Sequence, residues 1–81
     1  MRIEIFGTGC AKCKRLESHV RKAVKEQKLK AEIRKVEDIS EIMQRGVMMT
    51  PALAVNGRLV FSGRVSDIDE IRELLGRYRK R

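Results

Sequence analysis

Ile3 and Ile5 alternate with Arg2 and Glu4 between Arg2 and Phe6, the period of two that a strand imposes on its side chains. Gly7-Thr8-Gly9 breaks that pattern. The period then changes: between Ala11 and Gln27 the residues Cys13, Leu16, Val20, Ala23, Val24 and Gln27 recur at spacings of three and four. Most of the lysines and arginines fall between them, which predicts an amphipathic helix. Leu29, Ala31 and Ile33 alternate again and lead into Val36. This second strand follows a helical crossover and is therefore predicted to run parallel to the first. Asp38 and Ser40 both suit the N-cap of a short helix carrying Ile39, Ile42 and Met43, and Gly46 stands where a C-terminal glycine belongs.

Asn56-Gly57 separates the apolar runs 52–55 and 58–62, the local signature of a type I′ hairpin. Ser66-Asp67-Ile68-Asp69 resembles a capping box with Asp in place of Glu, and Ile68, Ile71, Leu74, Leu75 and Tyr78 give the last helix its apolar face. The predicted order is β-α-β-α-β-β-α. Its simplest packing is a four-stranded mixed sheet flanked by helices, an α/β fold. No repeat or linker divides the chain, and 81 residues leave room for one core, so a single domain over residues 1–81 is expected.

Aromatic residues make up only 4% of the chain, so the core must be aliphatic. No segment approaches the roughly 20 apolar residues of a spanning helix. The first six residues alternate like a strand instead of forming a signal-peptide core. A cytoplasmic protein without membrane contact is expected. Nineteen Lys and Arg against eleven Asp and Glu give a net charge of +8, which attracts acidic partners. The basic residues are interspersed with acidic ones and have no aromatic platform beside them, which argues against nucleic acid as a partner. Only the tail from Arg77 to Arg81 is a compact basic cluster, read as a solvated terminus.

Cys10 and Cys13 are the only cysteines, spaced Cys-Ala-Lys-Cys at the junction of the first strand and helix. In a cytosolic chain this spacing points to redox chemistry or to metal binding, not to a structural disulfide. Unpaired N–H groups and the helix dipole favour an anion at Cys10, and Lys12 and Lys14 add positive potential. Cys10 is therefore predicted to have a lowered pKa and to be the nucleophile. Cys13, in phase with Leu16 and Val20, is the buried resolving thiol. Cys10 thiolate would attack a substrate disulfide, and Cys13 would then attack the Cys10 sulfur, leaving a Cys10–Cys13 disulfide. No Gly-rich dinucleotide fingerprint follows a strand, so no bound cofactor is expected and an upstream thiol reductase must restore the dithiol. Gly7-Thr8-Gly9 is read as a plain turn or as space for a substrate backbone beside Cys10.

The Gly-Cys-x-x-Cys junction after a first strand, Thr50-Pro51 before the third, and Gly63 after the hairpin resemble the small thioredoxin-like redox-active disulfide proteins. The similarity spans nearly the whole chain and implies a thioredoxin-like fold. It also implies a cis bond at Thr50-Pro51, next to the dithiol and paired with a bound peptide, and a substrate-binding edge made of Gly9, Thr50, Pro51 and Gly63. Disulfide-containing proteins or small molecules would be the substrates. The chain departs from thioredoxins proper in carrying Gly9 where they have Trp before the first cysteine, and Ala11-Lys12 where they have Gly-Pro. Gly63-Arg64-Val65-Ser66-Asp67 echoes the glutathione site of glutaredoxins with one glycine missing, against the simpler reading of a helix cap.

The alternative is a carrier of copper, zinc or another soft metal through the same two thiolates. Such heavy-metal-associated domains run β-α-β-β-α-β, whereas this chain is predicted to end in a helix. A four-thiolate zinc site within one chain is excluded by the cysteine count, and no metal ligand set is assigned. His19 is off the apolar stripe and is read as a surface histidine. Met48 and Met49 are read as packing the loop before Thr50, with an adaptable lip around substrates as the functional alternative. Tyr78 is read as core or rim.

Overall fold

The computed structural model describes residues 1–9 and 11–79. Its elements are β1 (Arg2–Phe6), α1 (Ala11–Glu26), β2 (Glu32–Val36), α2 (Ile39–Gln44), β3 (Ala52–Val55), β4 (Arg58–Ser62) and α3 (Ile68–Arg79). This is the predicted order. The strands form one mixed sheet in the order β2-β1-β3-β4, with β1 parallel to β2 and antiparallel to β3. Among the described residues no helix is long and apolar enough to cross a membrane.

The two sheet faces are covered differently. Ile3 and Ile5 of β1 join Leu53 and Val55 of β3 against Leu16, Val20 and Ala23 of α1 and Ile71 and Leu75 of α3. The other face packs Phe6, Val36, Ala52 and Ala54 against Ile42 and Val47. All four β3 residues are buried because this strand lies inside the sheet with both faces covered. The alanines stand opposite Glu4 and Phe6, where a larger side chain would compete for the same space.

Several elements differ from the expectation in ways that have physical causes. The second strand starts at Glu32 instead of Leu29. Its partner β1 begins only at Arg2, opposite Glu32, so earlier residues have no ladder to join. Leu29 and Ala31 still pack on the core from outside the strand. On α2, Asp38 is the N-cap and accepts from the Ser40 N–H at 2.9 Å, but only Ile42 is buried; Ile39 and Met43 are exposed. A six-residue helix presents less than two full turns, so one position reaches the sheet. The cap of α3 is one residue later than read: Asp67 Oδ1 accepts from the Glu70 N–H at 2.8 Å, which makes the box Asp-x-x-Glu. The hairpin turn has Asn56 and Gly57 both at positive φ, 53° and 84°, as type I′ requires. Its register slips between Leu53 and Ala54, so Val60 is an extra residue on β4. A bulge there bends and twists this edge strand.

Candidate active site

Gly7 continues β1 by one rung, its N–H donating to the Val36 carbonyl at 3.0 Å. Gly9, at φ +85°, turns the chain out of the sheet. Cys10, the predicted nucleophile, lies outside the described residues. Cys13 is buried at 6% exposure on the first turns of α1, as predicted from its phase with Leu16 and Val20. That turn contains no acidic residue, and Ala11, Lys12, Lys14 and Arg15 are exposed around it. The helix dipole and these basic side chains favour an anion at the helix start, while the Glu37 carboxylate, 3.6 Å from where a Gly9 Cβ would stand, opposes them.

Gly7 has a different role from those read for it. It is buried, and a Cβ placed on it would overlap the Cys13 sulfur and stand 3.0 Å from the Cys13 Cβ. The glycine thus makes room for the buried cysteine.

The Thr50–Pro51 peptide bond is cis, as the resemblance implied. Pro51 is buried and precedes Ala52, which pairs with Phe6, so it lies next to Gly7 across the sheet. The Pro51 carbonyl accepts from the Gly63 N–H at 2.9 Å. Gly63, at φ +80°, packs closely on Met49: a Cβ there would lie 3.3 Å from the Met49 Cβ. Gly7, Pro51 and Gly63 are therefore neighbours across β1, β3 and β4, at the end of the sheet from which the dithiol segment departs. Of the predicted site residues, Cys13, Gly9, Thr50, Pro51 and Gly63 come together at this end.

Two features flank this edge. On one side an apolar groove of about 360 Å³ runs between Thr8 and Thr50, floored by Ile42 and Val47 and walled by Ile39, Met43 and Met48. Met48 is 92% exposed, so its reading as loop packing is corrected, whereas Met49, although largely exposed, does lay its side chain against Gly63. The loop enters a cis-proline that anchors to β4; of the two methionines before it, Met48 projects outward and Met49 folds against Gly63. On the other side a small cavity of about 10 Å³ is bordered by Gly7, Gly9, Cys13, Glu17 and Lys35. Lys35 lies 3.4 Å from Glu17. Hydrogen bonding from Arg21 is the main cause that holds the Glu17 carboxyl below the usual range, with Lys35 adding to it.

The sequence reading missed the buried ion pair beneath the site loop and misplaced one histidine. Glu4 sits in the polar phase of β1, yet it is only 2% exposed and receives two hydrogen bonds from Arg45, at 2.9 and 2.7 Å. Arg45 directly follows α2 and also stands over the Phe6 ring, 5.2 Å from its centroid. This pair ties the end of α2, and the loop leading to Thr50, to the central strand. The only signal was a carboxylate on the innermost part of a short strand with an arginine after a short helix. His19 is half-buried, and its Nδ1–H donates to the Ser66 carbonyl at 2.8 Å, so it is not a free surface histidine. It pins α1 to the segment entering α3. The Asp67 carboxylate that echoed a glutathione site is engaged as the cap of α3.

Residues 1–76 match the model of a thioredoxin-domain family. The chain belongs to the thioredoxin family. A thioredoxin from Methanothermobacter thermautotrophicus is 44% identical over 75 residues, covering 93% of this chain and 97% of the relative. A thioredoxin from Methanocaldococcus jannaschii is 45% identical over 76 residues, covering 94% and 87%. Thioredoxins are thiol–disulfide oxidoreductases, and this chain is an enzyme of that class. The solved structure of thioredoxin 1 from the thermophilic eubacterium Thermosipho africanus superposes with a TM-score of 0.67 at 24% identity, covering 99% of this chain and 96% of that one. That likeness shows the thioredoxin-like fold. The last described element is α3, which departs from the β-α-β-β-α-β order of the metal-carrier alternative.

Proposed function

We propose that this thioredoxin-family domain reduces disulfides through Cys10-Ala11-Lys12-Cys13, with Cys10 as nucleophile and Cys13 as resolver. The observation that carries the reading is the burial of Cys13 at the start of α1 directly over Gly7, beside the cis Thr50–Pro51 bond. A buried second thiol is protected from substrates, and in sequence it follows the first by three residues. The dipole and basic side chains of the helix start favour thiolate at Cys10. Thr50, Pro51, Gly9 and Gly63 shape the edge on which a substrate backbone docks. The substrates are disulfide-bearing proteins, and the groove between α2 and residues 47–50 takes an aliphatic side chain near the substrate cysteine. Smaller disulfides react without using the groove. An upstream thiol reductase regenerates the dithiol, and no bound cofactor takes part.

The test is catalytic reduction of a model protein disulfide with dithiothreitol as electron source. Cys10→Ser should lower turnover by at least about a hundredfold, since no first attack remains. Cys13→Ser should accumulate a mixed disulfide on Cys10. Wild-type turnover in Cys10→Ser would end the proposal. Tight stoichiometric uptake of Cu(I) or Zn without disulfide exchange would favour the metal carrier instead.

A further inference from the structure

The period of two along β1 places residue 7 on the same sheet face as Ile3 and Ile5, which is the face covered by α1. Any side chain at residue 7 would therefore project into α1. Cys13 occupies that space. Its sulfur would overlap the Cβ of any residue other than glycine at that position, and its own Cβ lies 3.0 Å from that point. Gly7 has no freedom to retreat, because its N–H is bonded to Val36 and Phe6 on its other side is paired to both β2 and β3. Nor does Cys13 have an easy escape. The helix restricts its χ1, and Leu16, Val20 and Ala23 below it are buried against the sheet.

We propose that Gly7 is a positioning residue for the resolving thiol, setting how deeply Cys13 sits and hence how it meets the Cys10 sulfur. This rests on the reading of Cys10 and Cys13 given above. In resolution, Cys13 loses its proton to solvent and its thiolate attacks the Cys10 sulfur. The Cys10–substrate bond breaks, the Cys10–Cys13 bond forms, and the substrate leaves as a thiolate; the dithiol is oxidised and the substrate reduced. An alanine at residue 7 must either rotate the Cys13 sulfur away from β1 or lift the first turn of α1. Either response misplaces the attacking atom of the second step, and rotation of the sulfur, the smaller of the two, spares the first attack by Cys10. A misplacement of about 1 Å is enough to slow a reaction by up to about a hundredfold.

The experiment uses one equivalent of 5,5′-dithiobis(2-nitrobenzoate) with the full reduced chain. Wild type should release two thionitrobenzoates, the first from attack by Cys10 and the second from resolution by Cys13. Gly7→Ala should keep the first release within about twofold and slow the second by about tenfold or more. The Cys10 adduct should persist by mass spectrometry. A second release at the wild-type rate overturns the role of Gly7 and leaves the proposed function intact, whereas a wild type that shows no first release defeats both. A destabilised Gly7→Ala is tested through the same contact. Its loss in melting temperature should shrink by at least about half in a Cys13→Ala background, which removes the overlapping sulfur. An equal loss in both backgrounds overturns the proposal.

Discussion

At the scale of single residues, the Glu4–Arg45 pair ties the end of α2, from which the site loop departs, to the central strand. Glu4 is buried in the sheet face under α2, and its carboxyl is held below the usual carboxylate range, mainly by hydrogen bonding from Arg45, with Arg2 and Arg34 adding attraction. Arg45 is partly exposed, so its charge keeps some hydration when the partner is lost. We predict that Glu4→Gln lowers unfolding free energy at neutral pH by about 2 kcal/mol, the scale of hydrogen bonds to charged groups. The sign with pH follows from linkage. A carboxyl with a lower pKa in the folded state contributes in full above its ordinary value of 4.5, and the contribution is lost as pH falls through the lowered folded value. Denaturant titrations across the acid range should therefore show a shallower acid decline in Glu4→Gln than in wild type. Equal slopes would mean that Glu4 is not the titrating support. Some acid dependence should remain, because Glu17 is lowered in the same direction by Arg21 and Lys35.

At the scale of elements, the hairpin shows what local sequence specifies and what it leaves out. Asn56-Gly57 identified the turn because few residue pairs tolerate two successive positive φ angles. The same Asn also clips the turn to β1: its Oδ1 accepts from the Arg2 N–H at 2.9 Å, and its own N–H donates to the Arg2 carbonyl at 2.7 Å. That contact spans 54 residues and has no local signal. Asn56→Ala should cost about 1–2 kcal/mol in denaturant unfolding, from left-handed strain and the lost bond together. It should leave thionitrobenzoate release unchanged, since the turn lies at the opposite end of the strands from Cys13. The bulge at Val60 was equally hidden, because alternation through Leu59, Val60 and Phe61 is already obscured by three apolar residues in a row. On α2, the spacing of Ile39, Ile42 and Met43 looked like a buried face, yet only Ile42 is buried, as the floor of the groove, and the other two are exposed on its walls. Replacing Ile39 and Met43 together with Ser should change stability by less than about 1 kcal/mol, as expected for exposed positions. It should raise KM for a protein disulfide by about tenfold, equivalent to about 1.4 kcal/mol of lost apolar contact. Reaction with the small aromatic disulfide should not change. Loss of both activities together would place these residues in the fold and not in recognition.

At the scale of the whole molecule, the site was legible where two independent patterns converged. Helix phase buried Cys13, and the resemblance supplied the cis bond at Pro51. The close approach of Gly7 to Cys13 needed the strand period and the helix period to be placed against each other, which only the packed structure does. The charge of +8 is also a property of the whole chain, but its effect on catalysis is local. Lys12, Lys14 and Arg15 are exposed around the start of α1, whose first turn carries no acidic residue. Their field should speed encounter with acidic protein disulfides and be screened by salt, because the Debye length falls from about 30 Å at 0.01 M to about 3 Å at 1 M. We predict that kcat/KM for an acidic protein disulfide falls by about tenfold over that range, and that for a basic protein disulfide it rises or stays flat. Lys12→Glu combined with Lys14→Glu should reverse the order of the two substrates at low salt. That double variant also adds negative charge beside Cys10, so its thiolate fraction must be measured in parallel by rate of alkylation against pH. If the salt dependence of wild type were the same for acidic and basic substrates, the basic start of α1 would act on the thiol alone and not on the choice of partner.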